Sequence, residues 1–174
     1  MRSLSDHMAS YGAHHRDPRN RATHYVGVPL IIFALLLALS VPRWEGLTPA
    51  MSLVALGGVY YLMLDLRLGL ALLLPVLLLL WAAEALAGWA PMLAWAVAAG
   101  CFIGGWAVQL LGHRLEGNRP ALLDNLFQAV ISPIFLLAEA AFALGWREEL
   151  RKQVASRLRM GDFAGAGRGC TSRF

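Results

Sequence analysis

The chain has 174 residues, enough for one domain, and at 58% hydrophobic with only 15% charged it is too apolar for an ordinary water-soluble domain. Fifteen Lys and Arg against eleven Asp and Glu leave a formal charge of +4, and Lys152 is the single lysine. No stripe of cations interleaved with aromatics is available to follow a phosphate backbone, so nucleic acid is excluded as a partner and lipid is the expected solvent.

Residues 1–24 are polar, and the first apolar run begins at Tyr25. A secretory signal has a short basic lead, and cleavage after Ala38-Leu39-Ser40 would discard the polar cluster described below, so this run reads as a retained span. Four apolar stretches, 25–41, 49–64, 68–87 and 91–111, are candidates to cross a hydrocarbon core, which takes about 20 helical residues. The first two are short and need tilt or local bilayer thinning. Trp44, Trp81, Trp89 and Trp95 fall mostly near the ends, where an indole N–H can stay wet. Cys101 lies inside a run and Cys170 in the tail, which offers neither a disulfide framework nor a CxxC metal site.

A fifth stretch, 122–146, is interrupted by Asp124, Asn125, Gln128, Ser132, Pro133 and Glu139. Loop charge arbitrates. With a cytoplasmic N-terminus and four crossings, fourteen cations lie inside and Arg43 alone outside, whereas a fifth crossing leaves seven inside and eight outside. The stretch is therefore expected as a re-entrant or in-plane helical hairpin, bent near Pro133 and returning to the cytoplasmic side. Residues 147–160 have Leu150, Val154 and Leu158 at helical spacing between cations, the pattern of an amphipathic basic helix lying on anionic lipid. Residues 161–174 are Gly-rich and expected to be disordered.

All five histidines, His7, His14, His15, His24 and His113, fall on the side this topology makes cytoplasmic. In the first polar cluster Asp17-Pro18 is a helix start, with Asp as N-cap and Pro at the first helical position. Asn20 and His24 then share a face four residues apart, and His15, just before the cap, can fold back toward it. In the second cluster His113 and Glu116 are three apart at the end of the fourth stretch, Gly117 is a natural C-terminal stop and Pro120 restarts a helix. A carboxylate at a helix C-terminus is repelled by the exposed carbonyls, so Glu116 wants a cation. Arg114 or Arg119 could supply it as a plain ion pair. Alternatively, His15, His24, His113 and Glu116 form a nitrogen and oxygen ligand set suited to iron or zinc.

The pattern Tyr-Gly-x-x-His-x-x-Pro-x-Asn-x-x-x-His-x-x-Gly-Val-Pro at 11–29, with Gly-His-x-x-Glu-x-x-x-Pro-Ala-Leu-Leu-Asp-Asn at 112–125, resembles the Mpo-type 2-hydroxy fatty acid dioxygenase family of integral membrane proteins. The resemblance covers roughly residues 10–145, two separated segments agreeing in residue type and spacing. It implies an iron(II)-dependent dioxygenase of fatty acid α-oxidation, which shortens a 2-hydroxy long-chain fatty acid by one carbon with O2. It carries His15, His24 and His113 over as metal ligands and matches Glu116 as a ligand, a base or an ion-pair partner. Three imidazoles on an octahedral iron(II) leave room for a 2-hydroxy acid and O2. Asn20 could then steady a ligand or a substrate oxygen, and Arg119, Arg19 or Arg21 could meet the substrate carboxylate.

The expectation is thus an all-α polytopic membrane bundle of four transmembrane helices plus the hairpin. Residues 1–146 form one catalytic domain in a bacterial inner membrane, both termini are cytoplasmic, Fe(2+) is the cofactor, and homo-oligomerisation stays open. A zinc-dependent membrane hydrolase and a non-catalytic scaffold or lipid- or metal-binding protein are the competing readings. A di-iron enzyme, which draws on about eight histidines, is disfavoured by a chain that has five.

Overall fold

A computed structural model of the chain describes residues 3–15, 17–117 and 127–166, the side chains of His14, Phe127, Gln128 and residues 160–166 excepted. Within these residues the helices are α1 (Leu4–His14), α2 (Pro18–Ser40), α3 (Pro49–Leu64), α4 (Leu66–Trp89), α5 (Pro91–Glu116), α6 (Phe127–Ala143) and α7 (Glu148–Ala166). The only β pairing among them is an isolated bridge between Trp44 and Leu47.

Local chemistry sets the helix ends. α1 opens on a capping box, in which Ser3 Oγ accepts from the Asp6 N–H at 3.3 Å and the Asp6 carboxylate accepts from the Ser3 N–H at 2.9 Å. At the start of α2, Asp17 Oδ1 accepts from the Arg19 N–H at 2.8 Å and Pro18 fills the first turn, as the sequence indicated. Asp65 ends α3 and caps α4 through Leu68 N–H at 3.0 Å. Gly117, at φ +75°, stops α5.

α2, α4 and α5 are each long and apolar enough to cross a membrane, whereas α3, at 16 residues, is shorter. Their outward faces expose Leu56, Val59, Met63, Leu74, Leu78 and Ile103, each more than half open, which is the surface of a protein solvated by lipid. The protein is a polytopic, all-helical integral membrane protein. Glu84, the one Asp, Glu, Lys or Arg within the four apolar stretches, is held near the far end of α4 by Arg43 at 2.9 Å and Thr48 Oγ1 at 2.5 Å.

α2 and α5 form the central pair. A Cβ on Gly27 would lie 2.9 Å from Gly105 O, and one on Gly105 would lie 2.8 Å from Ile31 Cγ1 and 3.0 Å from Gly27 O, so only glycine permits this approach. Two apolar cores flank the pair. One joins the outer halves of α2–α5 through Leu36, Leu37, Ala50, Val54, Ala83 and Ala98. The other, at the end bearing the polar clusters, gathers α1, α4, α6 and α7 around Met8, Tyr11, Leu68, Ile131, Ile134 and Phe135.

Two details differ from expectation. α6 runs straight through Pro133, and the chain turns at residues 144–147 instead, where Gly145 (φ +73°) and Arg147 (φ +65°) adopt left-handed conformations. The pair Ala129–Ala143 and Glu148–Arg159 is bent by 114° across this turn, and Arg147 pairs with Asp65 to fasten it to the α3–α4 junction. Nor does α7 turn its apolar stripe to lipid: Leu150 and Val154 are buried in the core that contains α1, with Leu158 packed against it. Its cations are largely paired, Arg151 with Glu148, Lys152 with Glu149 and Arg157 with Asp6. Helix continues to Ala166, and the rest of the tail expected to be disordered lies outside the described residues.

Candidate metal centre

Three elements deliver one imidazole each. His15 is the C-cap of α1, with a non-helical backbone at φ −129°, ψ 64° that folds it back over α2. His24 lies one turn after Asn20 on the buried face of α2, and His113 is in the last turn of α5. The glycine contacts between α2 and α5 bring the latter two together. The ring centroids of His15, His24 and His113 lie 4.7, 5.1 and 5.0 Å apart, and one ligand atom from each falls within 4.8 Å of the others. All three residues are at least 95% buried.

Backbone carbonyls orient two of the rings. His15 Nδ1 lies 3.0 Å from Tyr11 O, and His24 Nδ1 lies 2.8 Å from Asn20 O. A carbonyl only accepts, so each Nδ1 carries the proton and each Nε2 keeps its lone pair, the tautomer a metal ligand needs. Burial holds the His15 imidazole well below its ordinary range, at about 4, aided by the repulsion of His24 and His113 and opposed by the Tyr11 carbonyl. A cluster of neutral imidazoles without a carboxylate among the converging atoms fits a divalent cation such as zinc or iron.

Glu116, matched from sequence to the same site, is engaged elsewhere. Its Oε1 accepts the Asp17 N–H at 3.0 Å and its Oε2 accepts from the Asn20 amide, which ties the end of α5 to the start of α2. Because a carboxylate can only accept, Asn20 must offer Glu116 its NH2, and Asn20 Oδ1 is left buried without a hydrogen-bond partner among the described residues. The same NH2 lies 3.4 Å from His113 Nδ1. Asn20, fully buried, therefore touches three of the four other groups: His24 through its carbonyl, and His113 and Glu116 through its amide.

Of the cations considered for a substrate carboxylate, Arg21 pairs with Glu139 at 2.6 Å, Arg19 is exposed, and Arg119 lies outside the described residues. Tyr11 was part of the sequence pattern but had been given no role. Its ring stacks on His15 at 4.0 Å and 6°, contacts Phe135 at 4.5 Å, and its hydroxyl exchanges a 2.9 Å hydrogen bond with Ser132. Burial pushes the phenol up to about 12, so it stays protonated. The four-residue spacing from His15 on one helix was the available signal.

The family model described as 2-hydroxy-palmitic acid dioxygenase Mpo1-like matches residues 1–144, which hold all three histidines and Glu116. The chain is 35% identical over 153 residues to the 2-hydroxy-palmitic acid dioxygenase MPO1 of Saccharomyces cerevisiae, covering 85% of each chain. No solved structure matches significantly.

Proposed function

Because the chain belongs to the Mpo1-like family of 2-hydroxy-palmitic acid dioxygenases, we propose that it is an iron(II)-dependent dioxygenase of fatty acid α-oxidation. In this reading a 2-hydroxy long-chain fatty acid and O2 give the acid one carbon shorter, with the lost carbon balanced as carbon dioxide and water. The observation that carries the reading is the buried convergence of His15, His24 and His113. Iron(II) held there supplies the redox centre at which O2 can react with an organic acid.

The residues around it have separable tasks. The Tyr11 and Asn20 carbonyls fix the tautomers of His15 and His24. Glu116 is a positioning group rather than a ligand, since both its oxygens are occupied by donors on α2. Asn20 joins the two halves of the site, holding His24 through its carbonyl and meeting His113 and Glu116 through its amide. Arg119 is proposed as the partner of the substrate carboxylate. The apolar body excludes bulk water and solvates the acyl chain, and loop charge orients the site to the cytoplasmic face of a bacterial inner membrane. Residues 1–146 act as the catalytic unit, to which the basic helix beyond 147 is an addition.

Purified protein given iron(II), O2 and 2-hydroxypalmitate should release pentadecanoate, and His24→Ala and His113→Ala should each abolish it. Full activity in either variant would sink the assigned site. Three imidazoles also suit zinc, which favours one second reading, a membrane hydrolase. Stoichiometric zinc, with no O2 consumption, would support that reading instead.

A further inference from the structure

Gln109 is the only amide, hydroxyl or charged side chain in α5 between Pro91 and Gly112. It precedes His113 by one helical turn on the same face. Its side chain passes over Gly27, where an added Cβ would come within 2.6 Å of Gln109 Cγ, and Gly27 follows His24 by three residues. Gln109 and Gly27 thus make the layer directly beneath His24 and His113, on the bilayer side of the metal centre. The side chain is half-buried and makes no hydrogen bond among the described residues. Its donor and acceptor are thus open to a ligand that supplies partners for both.

The same face of α5 continues away from the site through Trp106 and Phe102, whose rings are 6.3 Å apart, with Phe102 48% exposed. Across from it on α2 lie Ile31 and the exposed Leu35. An apolar strip open to lipid therefore runs along α5 to Gln109, which lies one turn before His113 and over Gly27.

Resting on the dioxygenase reading above, we infer that Gln109 is the specificity-determining residue for the head of the 2-hydroxy acid. Its Nε2 donates to a carboxylate oxygen and its Oε1 accepts from the 2-hydroxyl, while the acyl chain follows Phe102, Trp106, Ile31 and Leu35 into the bilayer. An amide offers one donor and one acceptor side by side, which matches a 2-hydroxy acid. An unsubstituted fatty acid leaves Oε1 unpaired and is selected against.

The test is equilibrium binding of 2-hydroxypalmitate and of palmitate to the full-length, iron(II)-loaded protein in detergent micelles without O2. Gln109→Leu should weaken 2-hydroxypalmitate about 10- to 100-fold and palmitate at least about 3-fold less than that, since palmitate loses only the donor to its carboxylate, with iron content unchanged. Gln109→Glu, of the same length, should weaken 2-hydroxypalmitate at least as much, because its carboxylate repels that of the ligand. Unchanged discrimination between the two acids in Gln109→Leu, or loss of iron in both variants, would overturn the role of Gln109. Failure of the unaltered chain to bind 2-hydroxypalmitate would instead overturn the dioxygenase reading.

Discussion

Gly105 and Gly104 are neighbours on α5 with opposite surroundings, and the contrast gives a sharp test of how the site is assembled. A Cβ on Gly104 meets nothing within 4 Å, while one on Gly105 would lie 2.8 Å from Ile31 Cγ1, 3.0 Å from Gly27 O and 3.2 Å from Leu30 Cβ. Ordinary contact begins near 3.4 Å, so α2 and α5 must part by about 0.4 to 0.6 Å. Metal-ligand distances tolerate about 0.2 Å, and a rigid parting of the two helices is felt at His24 and His113 alike. Gly105→Ala is expected to lower metal affinity about 10- to 100-fold and to lose about 1 to 3 kcal/mol of packing, partly offset by about 1 kcal/mol of helix propensity. Gly104→Ala has only the propensity gain and should bind metal normally. Titration calorimetry with a divalent metal, alongside thermal unfolding in detergent, reads both quantities. Equal metal affinity in the two variants would refute the idea that the glycine contacts set the distance between the ligands.

Further outcomes follow from the same contacts. Tyr11→Phe keeps the ring on His15 and loses only the Ser132 hydrogen bond, so metal affinity should fall less than about 3-fold, whereas Tyr11→Leu, which removes the stack, should lower it about 10-fold or more by calorimetry. Glu116→Gln, which weakens the acceptor shared by Asp17 and Asn20, should retain metal but lose activity about 10-fold or more, and complete loss of metal would make Glu116 a ligand after all. Asp6→Arg opposite Arg157 should loosen α1 from α7 and lower the melting temperature, and Arg157→Asp in the same chain should restore it. Restoration by the double variant is the result to look for, because an isolated exposed pair is worth only about 0.2 to 1 kcal/mol.

Much of the site was legible because its ligands flank strong helix signals. Asp17-Pro18 fixed the start of α2 and so the face shared by Asn20 and His24, and Gly117 fixed the end of α5 just past His113. α1 was not foreseen, although Ser3 and Asp6 have capping-box spacing, because residues 1–24 read simply as polar. The hairpin bend was assigned to Pro133, yet the packing of Ile131, Ser132, Ile134 and Phe135 on both sides of that proline keeps α6 helical. A left-handed glycine at 145 and an ion pair to Asp65 turn the chain instead. The stripe Leu150, Val154, Leu158 was read correctly as apolar, but periodicity does not say what covers a stripe, and here α1 does so in place of lipid. The three-residue spacing of His113 and Glu116 left Glu116 open as a ligand, a base or an ion-pair partner. Only the folded chain brings Asp17 N–H and the Asn20 amide within reach of its two oxygens.

The central claim is that His15, His24 and His113 together hold one redox-active metal. Its most direct test is metal quantification by mass spectrometry on protein purified from membranes without metal-affinity resin, beside each single His→Ala variant. One iron per chain, falling below about a tenth in every variant, is the expected result. Stoichiometric zinc without iron, or iron that survives loss of any one of the three histidines, would contradict it.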